Sequence, residues 1–286
     1  MNNPAFKRPS VIAAILFAGF GIYILVPIYW LVVNATKSTS DLYSTFGFWF
    51  SGEPQLWQNI VEVFTHDDGI FGRWMLNTVG YSLAAAVGAT LLAVLAGYAF
   101  AKWRFRGRDG LFWLVLVAIM VPGAALAVPT YQLVAAMGLV DSPLAVILPS
   151  MVSPFAMYML TVYISSAVPD EIIDAARVDG AREPRIIRSV VLPIIGPGVA
   201  TVFLLTFVGT WNNYLLPLLV LQSPELMPIT LGLTSWNRVS LFPSTGAEVL
   251  YSLVVTGSLL SIIPLIIVFI FLQRYLRSGL TLGAVK

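Results

Sequence analysis

Long apolar stretches constrain the fold of this 286-residue chain more than any other feature. A helix needs about twenty apolar residues to cross the hydrocarbon core of a bilayer. Hydrophobic residues make up 58% of the chain and charged residues 10%, whereas soluble domains carry about a quarter charged residues. The sequence therefore predicts an all-α membrane protein built as one transmembrane domain over residues 1–286. Its six predicted spans are 11–33, 76–101, 111–135, 144–167, 194–221 and 249–272.

Glycines and prolines inside these spans indicate how the helices pack and bend. We expect Gly88 and Gly97 in the second span to allow close helix packing. Proline removes a helix hydrogen bond, so each span proline predicts a kink, which is either static or a hinge for alternating access. These prolines are Pro27, Pro122, Pro129, Pro149, Pro154, Pro217 and Pro264.

The positions of Lys and Arg predict the orientation. Placing the N-terminus inside puts 13 of the 16 basic residues in the cytoplasm, which is the positive-inside bias of inner-membrane proteins. The chain is then a multi-pass protein of the cell membrane with both termini cytoplasmic and with outer loops over 34–75 and 222–248. The basic run 102–108 is interpreted as a topology anchor with a secondary contact to anionic headgroups. The residues assigned to the cytoplasm are Lys7, Arg8, Lys102, Arg104, Arg106, Arg108, Arg177, Arg182, Arg185, Arg188, Arg274, Arg277 and Lys286, which leaves Lys37, Arg73 and Arg238 outside.

A polar segment, residues 169–193, carries nine of the thirty charged residues and lies on the predicted cytoplasmic side. Helix start and stop signals divide it into two short helices. The first begins at Pro169 and ends before Gly180, and the second begins at Pro184 and stops at Pro193. The positive-inside rule asks only for Lys and Arg, but this segment mixes five acids with four arginines. We therefore interpret this elbow (residues 169–193) as a docking surface for a partner.

The run D-A-A-R-V-D-G-A followed by V-L-P resembles the EAA loop in the membrane subunits of ABC importers. The leading Glu of the family is Asp174 here, so the charge is kept on a shorter side chain. The resemblance implies a type I importer permease fold. It also implies that the first short helix is a coupling helix, which inserts into a cleft on the ATP-binding subunit and transmits its closure. The residues implied to couple are Glu171, Asp174, Ala175, Ala176, Asp179, Gly180 and Arg182.

Three further runs resemble the second, shorter permease of maltose-type carbohydrate importers. They are G-Y-A-F-A-K-W-R-F-R-G-R at 97–108, W-N-N-Y at 211–214 and G-L-T-L-G-A-V-K at 279–286. The resemblance implies a heterodimer with a sister permease, two ATP-binding cassette subunits that carry ATP and Mg, an extracytoplasmic solute-binding protein and a sugar substrate. The outer loop 222–247 would face the binding protein, and the C-terminal tail would reach the interface between the ATP-binding subunits.

Polar side chains inside the predicted spans are candidates for the translocation path. Amides are expensive in a membrane unless they bond across helices or face a water-filled path, and both alternatives are open for residues 211–214. This tetrapeptide offers amides for sugar hydroxyls and aromatic faces for sugar C–H groups. The candidates are Trp211, Asn212, Asn213 and Tyr214, with Tyr131, Gln132 and Asn77 as weaker ones, and a structural role is favoured for Asn77.

The sequence also excludes several classes of function. It contains no cysteine, which excludes disulfides, a thiol nucleophile and metal sites with cysteine ligands. It contains no G-x-x-x-x-G-K-[ST] motif, so ATP must be bound by another subunit if the chain belongs to a pump. The single histidine, His66, lies beside Asp67 and Asp68 and is interpreted as a solvated loop residue. We expect no catalytic residue, metal, cofactor or nucleic acid on this chain. The predicted function is a permease subunit of an ATP-driven sugar importer. The alternatives are a permease for a polyol phosphate, amino acid or peptide, or an ion-coupled carrier, which would need charged groups at mid-membrane.

Overall fold

The computed structural model describes residues 10–241 and 250–281, the last six of them as backbone only. Lys7, Arg8 and Lys286, the side chain of Arg277 and most of the terminal motif lie outside the described residues, and so does the segment 242–249. In the described part all regular structure is helical, which confirms the all-α prediction. The helices are α1 (Val11–Ala35), α2 (Thr39–Ser44), α3 (Leu56–Thr65), α4 (Ile70–Lys102), α5 (Arg108–Met120), α6 (Ala127–Ala136), α7 (Pro143–Met151), α8 (Pro154–Ala167), α9 (Asp170–Val178), α10 (Glu183–Ile186), α11 (Leu192–Trp211), α12 (Leu215–Val220), α13 (Ile229–Leu241) and α14 (Tyr251–Thr281).

The described residues form two compact units. The first contains residues up to Gly69 together with Leu233–Ser261, and the second contains Ile70–Gly232 together with the residues from Ile262 onward. In the first unit the predicted outer loop is folded around Lys37, which is fully buried. The Lys37 ammonium donates to the Phe46 carbonyl at 2.8 Å, and the Asn59 amide donates to the Lys37 carbonyl at 2.9 Å. These bonds fix the backbone that follows α1.

Five helical stretches of the described chain are long and apolar enough to cross a membrane, or six if one bent pair counts as a span. The bent pair corrects the third predicted span, because 111–135 is not one straight helix. The axes before and after the break differ by 101°. The break falls where Val121 is extended and is followed by Pro122, which lacks an N–H, and by Gly123.

The fourth and fifth predicted spans are also interrupted. Helix α7 ends at Met151, and α8 starts at Pro154, with Ser153 accepting a hydrogen bond from the Ala156 amide at 3.2 Å. Helix α11 ends at Trp211 rather than continuing to residue 221, and α12 begins only at Leu215. Three breaks thus lie inside segments that the apolar pattern predicted to be continuous.

The second helix of the elbow does not stop at Pro193, contrary to the sequence prediction. Helix α10 passes through a π-helical turn, Ile187–Val191, directly into α11. The Leu192 amide donates to the Ile187 carbonyl, five residues back. A π turn shifts the hydrogen-bond register just before the proline that has no donor, so the helix continues through it.

The core of the second unit is the packing of α4 against α8 and α11. Tyr98, Leu160 and Ile195 are at most 1% exposed there. A Cβ added at Gly97 would lie 3.1 Å from the Leu160 Cβ and 3.1 Å from the Thr161 amide nitrogen. A Cβ at Gly88 would lie 2.2 Å from the Met151 Cε. Both glycines therefore allow close approach of helices, as the sequence predicted.

We expect Gly97→Leu to destabilise the permease by about 1–3 kcal/mol, because the added side chain meets the backbone of α8. The control is Gly80→Leu in the same helix, since a Cβ at Gly80 has nothing within 4 Å. Thermal unfolding of the purified protein in detergent measures the difference. Equal midpoints for the two variants would contradict the close packing of α4 on α8.

Candidate functional site

Local sequence signals define the first helix of the elbow. Asp170 and Glu171 lie in the first turn of α9, where the helix dipole favours negative charge. At the other end, the Gly180 amide donates to the Arg177 carbonyl and the Ala181 amide donates to the Ala176 carbonyl, each at 3.0 Å. Gly180 has a φ of +79°, the left-handed conformation that this Schellman ending requires. The predicted end of the helix is confirmed.

Helix α9 has one buried side and one exposed face. Ile173 is 2% exposed and belongs to the core cluster, and Ala176 packs against the same cluster. The exposed face, which we call the docking face, consists of Glu171, Asp174, Ala175 and Val178, at positions i, i+3, i+4 and i+7. Val178 is 88% exposed, the largest value among the exposed large hydrophobic residues of the described chain.

The remaining coupling candidates of the elbow divide between these two sides. Asp179, Gly180 and Arg182 are exposed, next to the docking face in sequence, whereas Ala176 lies on the packed side. The sequence reasoning missed Val178. The sequence pattern that could have indicated Val178 is its spacing. It lies four residues after Asp174 and therefore on the same helix face, whereas Ile173 of the same helix is buried.

A polar network ties the elbow to the end of α4. The Arg177 guanidinium contacts Glu183 Oε1 at 3.0 Å and Asp174 Oδ1 at 3.1 Å. The Tyr98 hydroxyl donates to Glu183 Oε2 at 2.5 Å, and Tyr98 is 1% exposed. A carboxylate of the elbow is thus held between an arginine of α9 and a buried tyrosine of α4.

Lys102 provides a second tie. Its ammonium donates to the Val168 carbonyl at 2.6 Å and to Asp170 Oδ1 at 2.5 Å, and the side chain is only 5% exposed. The hydrogen bond and the charge of Lys102 lower the pKa of the Asp170 carboxyl. The first residue of the basic run 102–108 is therefore a structural contact of α9, a role beyond the topology anchor that its charge indicated.

The path candidates fall into different environments. Trp211 is 2% exposed and packs on Phe207, so its ring is not available to a solute. The Asn212 amide donates to the Val208 carbonyl of its own helix at 2.8 Å. Asn77 donates to the Glu225 and Met227 carbonyls, which supports its structural interpretation. The other four candidates also differ in their surroundings. Tyr131 and Gln132 are exposed on α6, and Tyr214 is half-buried at the break after α11. Asn213 lines two cavities.

The two cavities lined by Asn213 have volumes of about 310 and 410 Å³ and share Ser150 as well. They lie at the three helix breaks of the second unit. Five hydroxyl residues line them, and the sequence reasoning named none of them: Thr130, Ser150, Ser153, Thr206 and Thr210. The sequence pattern that could have indicated part of this lining is the i, i+4, i+7 spacing of Thr206, Thr210 and Asn213, which predicts that they share one face at the end of α11.

The segment from Gln222 to Ile229 is held by Asp141 and by side chains of α4. Asp141 Oδ1 accepts from the Gln222 and Ser223 amides, each at 2.9 Å, and Oδ2 accepts from the Ser223 hydroxyl at 2.6 Å. These hydrogen bonds lower the pKa of the Asp141 carboxyl. From α4, four side chains bond the same segment: Trp74, Asn77, Thr78 and Tyr81.

Residues 89–281 match the family model described as "binding-protein-dependent transport system inner membrane component". The chain belongs to this family, as the resemblance in its sequence implied. It is therefore a multi-pass permease component and not itself the enzyme of its transporter.

Two relatives illustrate the range of this family. The chain is 37% identical over 228 residues to the arabinooligosaccharides transport system permease protein AraQ of Halalkalibacterium halodurans, covering 80% of this chain and 78% of the relative. It is 31% identical over 261 residues to the sn-glycerol-3-phosphate transport system permease protein UgpE of Yersinia pestis, covering 90% of each chain.

Among solved structures, a chain of a bacterial ABC transporter involved in the import of the acidic polysaccharide alginate shares this fold. The TM-score is 0.80 at 22% identity, covering 96% of this chain and 99% of that chain. The type I importer permease architecture implied by the sequence is consistent with this fold.

We expect Tyr98→Phe to destabilise the protein by about 1.5 kcal/mol, because it removes a hydrogen bond to a carboxylate that is only one-third exposed. Tyr131→Phe is the matched control, since Tyr131 is exposed on α6. Denaturant unfolding in detergent compares the two variants. The hydrogen bond between the elbow and α4 would be disproved if Tyr98→Phe were as stable as the control.

A pH dependence follows from Asp141. Because its pKa lies below the ordinary 3.8, the carboxylate bonds are fully present at neutral pH and are lost only as the pH falls through that lowered value. We expect hydrogen-exchange protection of the Gln222 and Ser223 amides to fall several-fold in that acidic range. The Leu221 amide, which donates to the Pro217 carbonyl, is the internal reference. In Asp141→Asn, protection of the two amides should be reduced already at neutral pH.

Proposed function

We propose that this chain is one permease of an ATP-driven, binding-protein-dependent sugar importer and forms half of a heterodimeric translocation pore. The observation that carries the proposal is the elbow, whose exposed docking face and buried underside belong to the same nine-residue helix. Membership of the importer family and the identity to an arabinooligosaccharide permease support an oligosaccharide as the solute. ATP and Mg are bound by the partner subunits.

The elbow transmits movement because it is part of the core of its unit. An ATP-binding subunit that pushes on α9 moves Ile173, which lies in the same cluster as Leu160 of α8 and Ile195 of α11. The bonds from Tyr98 to Glu183 and from Lys102 to Asp170 carry the same displacement to α4. Three helices of the second unit therefore respond to one contact.

The proposed contact itself uses the docking face. Ala175 leaves room for close approach, Val178 supplies an apolar surface that gains by burial, and Glu171 and Asp174 supply charge for cationic partners. Asp179, Gly180 and Arg182 lie at the rim of this face. Ala176 takes part through packing within the chain.

We place the elbow and both termini in the cytoplasm. Support comes from the basic residues Lys102, Arg104, Arg106 and Arg108 at the end of α4 that the elbow contacts. The opposite end of α4 holds the Gln222–Ile229 segment, which then lies on the outer side. We assign this segment to the support of the loop that faces the solute-binding protein.

A second candidate function is import of a polyol phosphate, which the identity to an sn-glycerol-3-phosphate permease supports. Both functions use the same coupling elbow. They differ in what the pore must accommodate, a neutral chain of hydroxyl groups or a phosphate dianion.

The coupling proposal predicts that Val178→Asp lowers binding of the ATP-binding subunits by roughly tenfold or more and stops ATP-dependent uptake, because a charge is forced into an apolar contact. Val178→Leu keeps the apolar surface and should retain both activities. Since Val178 is 88% exposed, Val178→Leu should not alter the stability of the isolated permease. Val178→Asp should lower it by no more than about 1 kcal/mol, because it adds an acid at the C-terminal end of α9.

The measurement is co-purification of the ATP-binding subunits, followed by uptake of radiolabelled arabinotriose into proteoliposomes containing the complete complex and its binding protein. Normal assembly and uptake with Val178→Asp would overturn the assignment of the docking face. Uptake by the wild-type permease without ATP-binding subunits would overturn the importer itself.

A further inference from the structure

Five polar residues around the helix breaks form what we call the polar groove. Ser150 and Asn213 line both of the cavities described above, and Ser153, Thr206 and Thr210 line the smaller one. Volumes of about 310 and 410 Å³ lie within the range of about 300–1,000 Å³ typical of small-molecule sites. The groove is therefore large enough to hold a solute and not only a single water molecule.

Hydrogen-bonding groups in the groove are left unpaired by the protein. Thr210 is only 9% exposed, yet its hydroxyl has no partner in the part of the chain that the structure describes, and the same holds for the Thr206 hydroxyl and the Asn213 amide nitrogen. Thr201, nearby on the same helix, shows the usual alternative, because its hydroxyl donates to the Pro197 carbonyl at 2.9 Å. The three groups line open cavities, so they are accessible to a molecule in the groove.

The helix breaks around the groove also indicate a site for an external ligand. The break after α5 places Gly123 at the larger cavity, the break between α7 and α8 places Ser153 at the smaller one, and the break after α11 places Asn213 at both. Within a membrane, non-helical backbone is tolerated where it is buried in protein or lines a water-filled cavity. Gly209 also lines the groove, and a Cβ there would have nothing within 4 Å. The groove is thus open, and polar side chains form part of its lining.

The chemistry of the lining identifies the class of ligand. All residues that line the two cavities are uncharged. Hydroxyl and amide groups pair with the hydroxyls of a neutral saccharide, and the half-exposed ring of Phe155 offers an apolar face for sugar C–H groups. A phosphate ester is instead recognised by arginine or lysine.

We propose that Thr206, Thr210 and Asn213, with Ser150 and Ser153 opposite, form a subsite that binds a neutral saccharide during its passage through the pore. This inference rests on the proposed function and adds to it a ligand class, a location and the residues. It also distinguishes the two candidate solutes, since this subsite favours an oligosaccharide over sn-glycerol-3-phosphate. The sequence predicted the whole tetrapeptide 211–214 as a candidate for the translocation path, and only Asn213 of these four residues belongs to the proposed subsite.

The first test uses the complete importer in proteoliposomes. The double variant Thr206→Val and Thr210→Val removes two hydroxyls while keeping the shape of the side chains. We expect at least a fivefold loss of arabinotriose imported per ATP hydrolysed. Thr201→Val is the control, because its hydroxyl is bonded within its own helix. If the double variant imports arabinotriose as efficiently as this control, the subsite is disproved.

The second test needs no transport. The chain contains no cysteine, so Thr210→Cys introduces a single thiol into it. We expect a water-soluble methanethiosulfonate reagent to label this thiol in the assembled complex, as read from the mass of this chain. Millimolar arabinotriose should protect it, and millimolar sn-glycerol-3-phosphate should not. A thiol that is never labelled, or is labelled equally with and without arabinotriose, overturns the proposal.

The wild-type importer separates failure of the subsite from failure of the proposed function. ATP-dependent import of arabinotriose by the wild type with normal import by the double variant overturns only the subsite. Import of sn-glycerol-3-phosphate in place of arabinotriose overturns both the sugar function and the neutral ligand class.

Discussion

The constraint on which this structure depends is that lipid offers no hydrogen-bonding partner to the backbone. Long helices such as α1, α4 and α14 satisfy it by bonding internally. The interruptions after α5, α7 and α11 are therefore costly, and they occur where polar side chains line open cavities. The location of the groove and the location of the broken helices have the same physical cause.

The proposed coupling between the elbow and these breaks depends on packing. Ile173 and Ile186 are at most 2% exposed in a cluster shared by α4, α8 and α11. Cores pack as densely as organic crystals, so a displaced side chain moves its neighbours and is not absorbed by free volume. Helix α8 follows directly from one break and α11 ends at another. In the proposed mechanism, a force on the elbow would therefore reach both sides of the polar groove through these two helices.

The elbow itself could largely be predicted from the sequence, because its signals are local. Proline, acidic residues and glycine mark the ends of α9 wherever the helix lies. The docking face could be predicted only in part. Which of Ala175 and Ala176 faces outward, and that Val178 is exposed while Ile173 is buried, depends on how α9 lies against α4 and α8. The end of the second elbow helix was predicted wrongly, because a π turn lets the chain pass Pro193 without stopping.

The sequence by itself determined that this protein lies in a lipid bilayer, that it is all-helical, where its elbow lies and which family it belongs to. These properties depend on composition, on local spacing and on short motifs. Only the tertiary structure decided which polar residues face a cavity. Trp211 is buried by Phe207, Asn77 is bonded to the Glu225 and Met227 carbonyls, and Asn213 alone of the tetrapeptide 211–214 reaches both cavities. Lys102 is likewise tied to Asp170, a contact between residues 68 positions apart. Such assignments depend on contacts between distant segments, and no local pattern in an apolar chain specifies them.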